Sequence, residues 1–139
     1  MTVTVDKRIL IVVAKAPASG QTKTRLGATI GPDAAAEFYQ CLLHDVLDIV
    51  RAVPDITRAI AYLPAGSESF FNDIAPDFDL MLQQGDDLGA RLDHVLTHCL
   101  TNGYTHAAVM SSDTPLVDPC VITQAFDELD RGHDVAIGP

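Results

Sequence analysis

Residues 8–26 have the sequence RILIVVAKAPASGQTKTRL, in which an apolar run is followed by a basic, glycine-containing segment. The run from Arg8 to Ala14 is uninterrupted and rich in β-branched residues, which is typical of a central parallel strand buried on both faces. The segment from Lys15 to Leu26 then predicts a loop at the carboxyl end of that strand. Ligands of open α/β sheets bind at this edge, so the loop is the first candidate for function.

Strand and helix signals alternate along the rest of the chain. Gly31-Pro32 and Asp118-Pro119 are typical helix starts, and Pro54 and Asn102-Gly103 are typical helix ends. The pattern predicts helices over residues 32–53, 67–75, 88–102 and 119–131, and further strands over residues 57–63, 78–83, 105–110 and from 134 to 137. Such alternation predicts a Rossmann-like three-layer α/β/α fold with a mostly parallel sheet, formed by residues 1–139 as a single domain.

Apolar residues at helical spacing predict which face of each long helix is buried. For the first helix the predicted stripe is Phe38, Leu42, Val46, Ile49 and Val53. For the helix that begins near residue 88, the predicted stripe is Leu88, Leu92, Val95, Leu96 and Cys99.

The charge balance limits the classes of partner. The chain has 139 residues with a formal net charge of −10 and nine Lys and Arg residues, so its surface should repel nucleic acids and anionic membranes. No apolar stretch approaches the roughly 20 residues that span a bilayer. Three widely separated cysteines favour neither a disulfide framework nor a zinc site. We therefore expect a cytoplasmic protein without a membrane span or a nucleic-acid partner.

The loop after the first strand contains a third of these scarce cations. Lys15, Lys23 and Arg25 surround Gly20, and Thr24 adds a hydroxyl group. Glycine permits close backbone approach, and the cations and hydroxyls can donate to phosphate oxygens. The loop has neither Walker A nor GxGxxG spacing. A solvated basic loop is the alternative interpretation, and the acidity of the whole chain makes it the weaker one.

Two further loops follow predicted strands. In the first, Gly85 and Gly89 flank two acids, Arg91 follows, and Asp86 or Asp87 would cap the next helix whether or not the loop has another function. In the second, which directly follows a predicted strand, Asp113 lies two residues before a proline. A carboxylate there can hold Mg²⁺ or Mn²⁺ against a diphosphate, although a lone Asp can also simply start a turn.

Taken together, these motifs resemble the DUF2064 family. They are KAPASGQTKTRL over residues 15–26, QQGDDLGARL over residues 83–92 and SSDTPL over residues 111–116. The family is glycosyltransferase-A-like and is predicted to contain nucleotide-diphospho-sugar transferases. It is distantly similar to guanylyl- and cytidylyltransferases, including those that make molybdenum and F420 cofactors.

The resemblance implies a nucleotide-binding domain with a metal ion. Phosphate contacts would fall to Lys15, Gly20, Lys23 and Arg25, and Asp113 would ligate Mg²⁺ or Mn²⁺. We expect Lys23 and Asp113 to act in catalysis, and we add the neighbouring Thr24, Gly85, Asp87, Gly89 and Arg91 to the nucleotide site. Relatives continue beyond the equivalent of Pro139, so the resemblance also implies that the acceptor side is absent here.

The sequence thus predicts a metal-dependent transferase that uses a nucleotide or nucleotide-sugar donor and a small acceptor. A nucleotide-diphospho-sugar glycosyltransferase is preferred. A nucleotidyltransferase of the guanylyl or cytidylyl type is the first alternative, and a non-catalytic nucleotide-binding module is the second. An open sheet edge near the end of the chain also makes a homodimer conceivable.

Overall fold

A computed structural model describes residues 7–138. Within them the chain forms four strands and five helices, in an α/β fold. The strands are β1 (Arg8–Lys15), β2 (Thr57–Leu63), β3 (Asp79–Leu82) and β4 (His106–Ser111). The helices are α1 (Thr24–Ile30), α2 (Pro32–Arg51), α3 (Glu68–Ile74), α4 (Leu88–Thr101) and α5 (Pro119–Asp130).

The sheet is parallel throughout and has the strand order β3-β2-β1-β4. From β1 the chain passes outward through β2 to β3, and it then returns to place β4 on the other side of β1. The direction of winding therefore reverses between β1 and β4. In open α/β sheets the crevice at such a reversal, beyond the carboxyl ends of the strands, is where ligands bind.

β1 is buried on both faces, as its sequence predicts. Leu10 and Val12 pack with α2, α3 and α5, where Phe71 and Phe126 are fully buried. Ile9 and Ile11 point to the opposite face and pack with Val95 and Cys99 of α4. Helices on both faces complete the predicted three layers.

The predicted inward stripe of α2 is confirmed at Val46 and Val53, which are buried, and is wrong by one residue at Phe38 and Leu42. Phe38 is 48% exposed, whereas Tyr39, Leu43 and Val50 are buried. The helix carries apolar residues in adjacent pairs, so two neighbouring stripes have nearly the same spacing and the sheet selects one. In α4 the predicted Leu88 is 62% exposed, because it lies in the first turn, beyond the buried positions Val95 and Cys99.

The loop after β1 is shorter than predicted. Helix α1 begins at Thr24, so Thr24, Arg25 and Leu26 are helical instead of irregular. Gly31, with a φ of 96°, ends α1 and precedes the first turn of α2 at Pro32. A φ of this sign is available to glycine at little cost, which explains why two helices meet here.

The predicted fifth strand is not formed within the residues that the structure describes. Residues 134–137 have no regular structure, and Val135 and Ile137 are 72% and 92% exposed. Strand propensity alone does not form a strand, because the backbone also needs a partner for its hydrogen bonds. Across residues 7–138 we find no helix that is both long and apolar enough to cross a membrane.

Candidate functional site

A cleft of about 470 Å³ lies at the point where the winding reverses. Its sides are the loop after β1, the loop after β4 and the first turns of α4. The charged residues that line it are Lys15, Lys23, Arg91 and Asp113, and the apolar ones include Leu63, Leu92 and Met110. The lining therefore has a formal charge of +2 in a chain of net charge −10.

Lys23 and Asp113 meet across this cleft. The Lys23 Nζ donates to Asp113 Oδ1 at 2.6 Å, although the two residues are 90 positions apart in sequence. The Lys23 and Asp113 side chains are 29% and 51% exposed, so the pair stays accessible to ligands. Lys23 precedes α1 with a φ of 49°, a left-handed conformation that costs a non-glycine residue about 1 kcal/mol or more.

The buried hydroxyl of Tyr39 connects the loop after β1 with the loop after β4 on the core side of the cleft. The Tyr39 hydroxyl of α2 accepts a hydrogen bond from the Lys15 backbone N–H at 3.1 Å. It also lies 2.9 Å from Ser112 Oγ, in a contact that is buried. Lys23 Nζ is 5.9 Å from the centre of the Tyr39 ring. Tyr39 thus fixes the carboxyl end of β1 relative to the residue that precedes Asp113.

The loop after β1 is braced mainly by its own hydrogen bonds. Thr22 Oγ1 accepts from the Ala18 N–H at 2.8 Å, and the Thr22 N–H donates to the Ala18 carbonyl at 3.0 Å. Gly20 lies at the turn with a φ of 79° and open space around its Cα. The bracing leaves the ammonium of Lys23, at the end of the loop, directed into the cleft.

The loop before α4 holds Arg91 at the cleft wall. Arg91 Nε donates to the Gly85 carbonyl at 3.0 Å, and Asp87 caps the helix by accepting from the Ala90 N–H at 2.8 Å. A Cβ on Gly85, whose φ is 133°, would lie 2.8 Å from the Cβ of Ala90. Glycine is therefore required at position 85 both for backbone conformation and for space.

Gln83 forms part of the cleft floor and is 8% exposed. Its Nε2 donates to the Ala61 carbonyl at 2.8 Å and lies 3.4 Å from the Ala14 carbonyl. The side chain thereby ties the carboxyl ends of β1 and β2 together.

Four of the residues predicted from sequence are brought together in the cleft lining: Lys15, Lys23, Arg91 and Asp113. The other six lie outside that lining. Thr24 and Arg25 are exposed on α1, Gly20 is at the turn of the first loop, and Gly85, Asp87 and Gly89 shape the start of α4. Asp87 was one of two predicted caps of this helix, and it is the one that caps it.

Sequence reasoning missed Tyr39, Ser112 and Gln83. Tyrosine in a buried helix stripe is a signal that could have revealed the first, because a buried hydroxyl needs a partner. The other two have no comparable signal, since an isolated serine or glutamine after a strand is also common in turns.

The donor set fits a magnesium-type ion that is shared with a ligand. Within residues 7–138 no group of three or more His, Cys, Asp and Glu side chains could hold a metal, and Asp113 is the one carboxylate of the cleft lining. Mg²⁺ is commonly bound through one or two carboxylates together with substrate phosphates.

Solved structures with this architecture define the class of the fold. A crystal structure of a candidate nucleotide-diphospho-sugar transferase from Desulfovibrio desulfuricans G20 matches with a TM-score of 0.83 and 29% identity, over 91% of this chain and 55% of that one. A 4-diphosphocytidyl-2C-methyl-D-erythritol synthase matches with a TM-score of 0.60 and 12% identity, over 89% of this chain and 55% of that one. Rv0371c from Mycobacterium tuberculosis H37Rv matches with a TM-score of 0.51 and 16% identity, over 88% of this chain and 61% of that one. The chain has the fold of nucleotide-diphospho-sugar transferases, and the last two matches concern the fold alone.

The chain belongs to the DUF2064 family, which is described as an uncharacterized protein conserved in bacteria. The family profile matches residues 46–139, about two thirds of the chain. This range holds the second and third loops and begins beyond the first. The chain spans about 55% of the length of the Desulfovibrio protein. No curated protein sequence matches it.

Proposed function

We propose that this domain belongs to a metal-dependent transferase that uses a nucleotide-diphospho-sugar donor. The observation that carries the proposal is the meeting of Lys23 with Asp113 in a cleft of local charge +2, where the winding of the sheet reverses. A diphosphate needs cations from the protein and a carboxylate for its metal ion, and the cleft offers both.

Each charged residue has a distinct part in this proposal. Lys15, Lys23 and Arg91 bind the donor phosphates, and Asp113 holds Mg²⁺ or Mn²⁺. An ion held by Asp113 would supply positive charge against the charge that develops on the leaving diphosphate. Lys23 stabilises the same charge from the protein side, and the fixed geometry of its loop limits the reorganisation that this requires. The apolar wall with Leu63 and Leu92 excludes water from one side of the donor.

Nucleotidyl transfer is the second candidate. Three cations against a single carboxylate suit the charge of a triphosphate at least as well as that of a diphosphate. The two reactions differ in their leaving group, which is pyrophosphate in nucleotidyl transfer and a nucleoside diphosphate in sugar transfer. Assays for both products, with labelled donors and a panel of phosphate, carboxylate and hydroxyl acceptors, would separate them.

A non-catalytic nucleotide-binding module is the remaining alternative. It predicts donor binding without release of either leaving group, whichever acceptor is supplied. The assay needs the full-length protein as well as residues 1–139, because the Desulfovibrio protein is considerably longer than this chain.

Calorimetric titration with UDP, GDP, GTP and CTP in the presence of Mg²⁺ tests the site itself. We expect at least one nucleotide to bind, and Lys23→Ala to weaken it about 10- to 100-fold, the range for a lost hydrogen bond to a charged group. Asp113→Ala should weaken binding in the presence of Mg²⁺, because it removes the proposed metal ligand. Arg131→Ala is the matched control, because Arg131 lies on the surface beside Glu128 of α5 and outside the cleft lining. If no nucleotide binds, or if all three variants lose affinity equally, the site is wrongly assigned.

A further inference from the structure

Lys23 and Asp113 form an ion pair with each other, yet the proposed function requires Lys23 to bind phosphate and Asp113 to hold a metal ion. The 2.6 Å contact places an ammonium group at the carboxylate that would hold the metal ion. It also engages the ammonium group that would bind phosphate. This pair therefore blocks two subsites at once.

We propose that the Lys23–Asp113 pair is a resting contact that donor phosphate and metal ion replace together, so that each ligand binds poorly without the other. This inference rests on the proposed function. When phosphate binds the Lys23 ammonium, the Lys23–Asp113 contact breaks, and the freed carboxylate then binds the metal ion. The same free-energy coupling acts in both directions, so the metal also favours phosphate binding.

The surroundings of the pair favour an exchange of side chains over a movement of loops. The backbone at Asp113 is fixed, because its N–H donates to Ser111 Oγ at 3.1 Å and Thr114 Oγ1 donates to the Ser111 carbonyl at 2.7 Å. The Lys23 backbone is fixed by the Gly27 N–H, which donates to the Lys23 carbonyl at 2.8 Å. The flexible part is the four-carbon stem of Lys23, and its rotation is sufficient to transfer the ammonium from carboxylate to phosphate.

The exposure of the pair sets the size of the effect. Asp113 is 51% exposed, and ion pairs of this kind contribute modestly to stability. Ligands can therefore displace the contact, while its loss still changes an affinity by about two- to fivefold. A buried pair would instead resist exchange.

A metal-only titration tests the proposal without any nucleotide. Paramagnetic broadening of the amide signals of residues 111–114 by Mn²⁺ gives a midpoint for binding at Asp113. We expect Lys23→Met to lower this midpoint about two- to fivefold, and Lys23→Arg to leave it near the wild-type value. Lys15→Met is the matched control, because it removes a cation from the same cleft without removing a contact to Asp113. An unchanged midpoint in Lys23→Met, or an equal shift in Lys15→Met, overturns the exchange.

A metal-free titration provides the mirror image. In the presence of a chelator, Asp113→Asn should bind UDP, or whichever nucleotide the wild type binds with Mg²⁺, more tightly than the wild type does, since Lys23 is then free. The gain should shrink in the Lys23→Met background, which a double-mutant cycle measures directly. A gain of equal size in both backgrounds would reflect simple charge repulsion and would refute the resting contact.

The two failures are distinguishable. If the wild type binds nucleotide with Mg²⁺ but the Mn²⁺ midpoint does not respond to Lys23→Met, the exchange is wrong and the proposed function stands. If the wild type binds no nucleotide under any condition, the proposed function is wrong and the exchange fails with it. Thermal unfolding of each variant checks that the fold is intact.

Discussion

Gly85→Ala tests whether the start of α4 is held in place by a close backbone approach. A Cβ at position 85 would lie 2.8 Å from the Cβ of Ala90 and 3.0 Å from both the Ala90 carbonyl carbon and the Arg91 nitrogen. All three neighbours belong to the first turn of a helix and cannot move without shifting it. The φ of 133° adds a backbone cost, because residues with a side chain rarely adopt it.

Gly103→Ala separates the two costs. Gly103 also has a positive φ, of 100°, but a Cβ there would meet nothing within 4 Å. Backbone strain alone should cost Gly103→Ala about 1 kcal/mol, after the entropy gained by restricting the unfolded chain is deducted. Gly85→Ala adds overpacking against Ala90, for a total of about 3 kcal/mol.

Urea unfolding followed by circular dichroism measures both variants. With a denaturant dependence of about 1.5–2 kcal/mol/M for a domain of this size, the midpoint should fall by about 1.5–2 M in Gly85→Ala and by about 0.5 M in Gly103→Ala. Equal midpoints in the two variants would refute the close approach. Below the transition, Gly85→Ala should also weaken nucleotide binding, because the Gly85 carbonyl holds Arg91 at the cleft.

Three further predictions concern single contacts. Tyr39→Phe should lower the free energy of unfolding by about 1–3 kcal/mol, because it leaves a backbone N–H and a buried serine hydroxyl without their partner. Hydrogen bonding by Arg51 holds the pKa of Asp77 below its ordinary value of 3.8. The resulting stabilisation is present above that value and disappears as the pH falls through the lower native pKa. Asp77→Asn should therefore make the free energy of unfolding less dependent on pH on the acid side. Asp87→Ala should cost about 1 kcal/mol through the lost helix cap, whereas Ser67→Ala should cost less, since Ser67 makes no capping hydrogen bond to α3.

The same unfolding experiments supply the controls for these three. Tyr104→Phe, at a half-buried position of the other sheet face, should leave the midpoint nearly unchanged, and a loss equal to that of Tyr39→Phe would contradict the role given to the Tyr39 hydroxyl. The Asp77 effect should be small, below about 1 kcal/mol, because the side chain is 36% exposed. If the free energy of unfolding fell in parallel for wild type and Asp77→Asn between pH 5 and pH 2, the role given to Asp77 would be contradicted. Equal losses in Asp87→Ala and Ser67→Ala would contradict the cap assignment.

The sequence predicts the layers of the fold because its strongest signals are local. The apolar run that forms β1 can only be buried on both faces, and Asp118-Pro119 begins α5 as predicted, with Asp118 accepting from the Cys120 N–H at 2.8 Å. The failed strand over residues 134–137 shows the limit of such signals. Its composition favours a strand, but a strand also needs a neighbouring backbone, which composition does not supply.

The site is less predictable, because it depends on the order of the strands. The sequence places chemically active loops after three strands, but it contains no signal that the loop after β4 lies beside the loop after β1. The order β3-β2-β1-β4 brings Lys23 to Asp113, and it leaves the exposed Arg25 outside the cleft lining. The sequence motifs therefore predicted which loops form the site, whereas the strand order decides which of their side chains face one another.

The wrong inward assignment of Phe38 and the missed Tyr39 are a single error. Phe38 and Tyr39 are adjacent and both apolar enough for a buried stripe, so periodicity cannot choose between them. A register with Phe38 inward would carry the Tyr39 hydroxyl to solvent, and the Lys15 N–H and Ser112 Oγ would lose the partner that they have in the structure. Burying those two groups unpaired would cost more than the exchange of one aromatic ring for another. The polar contacts beneath the cleft therefore act together with packing against the sheet to set the rotation of α2 about its axis. Through Tyr39, this core helix also shapes the site.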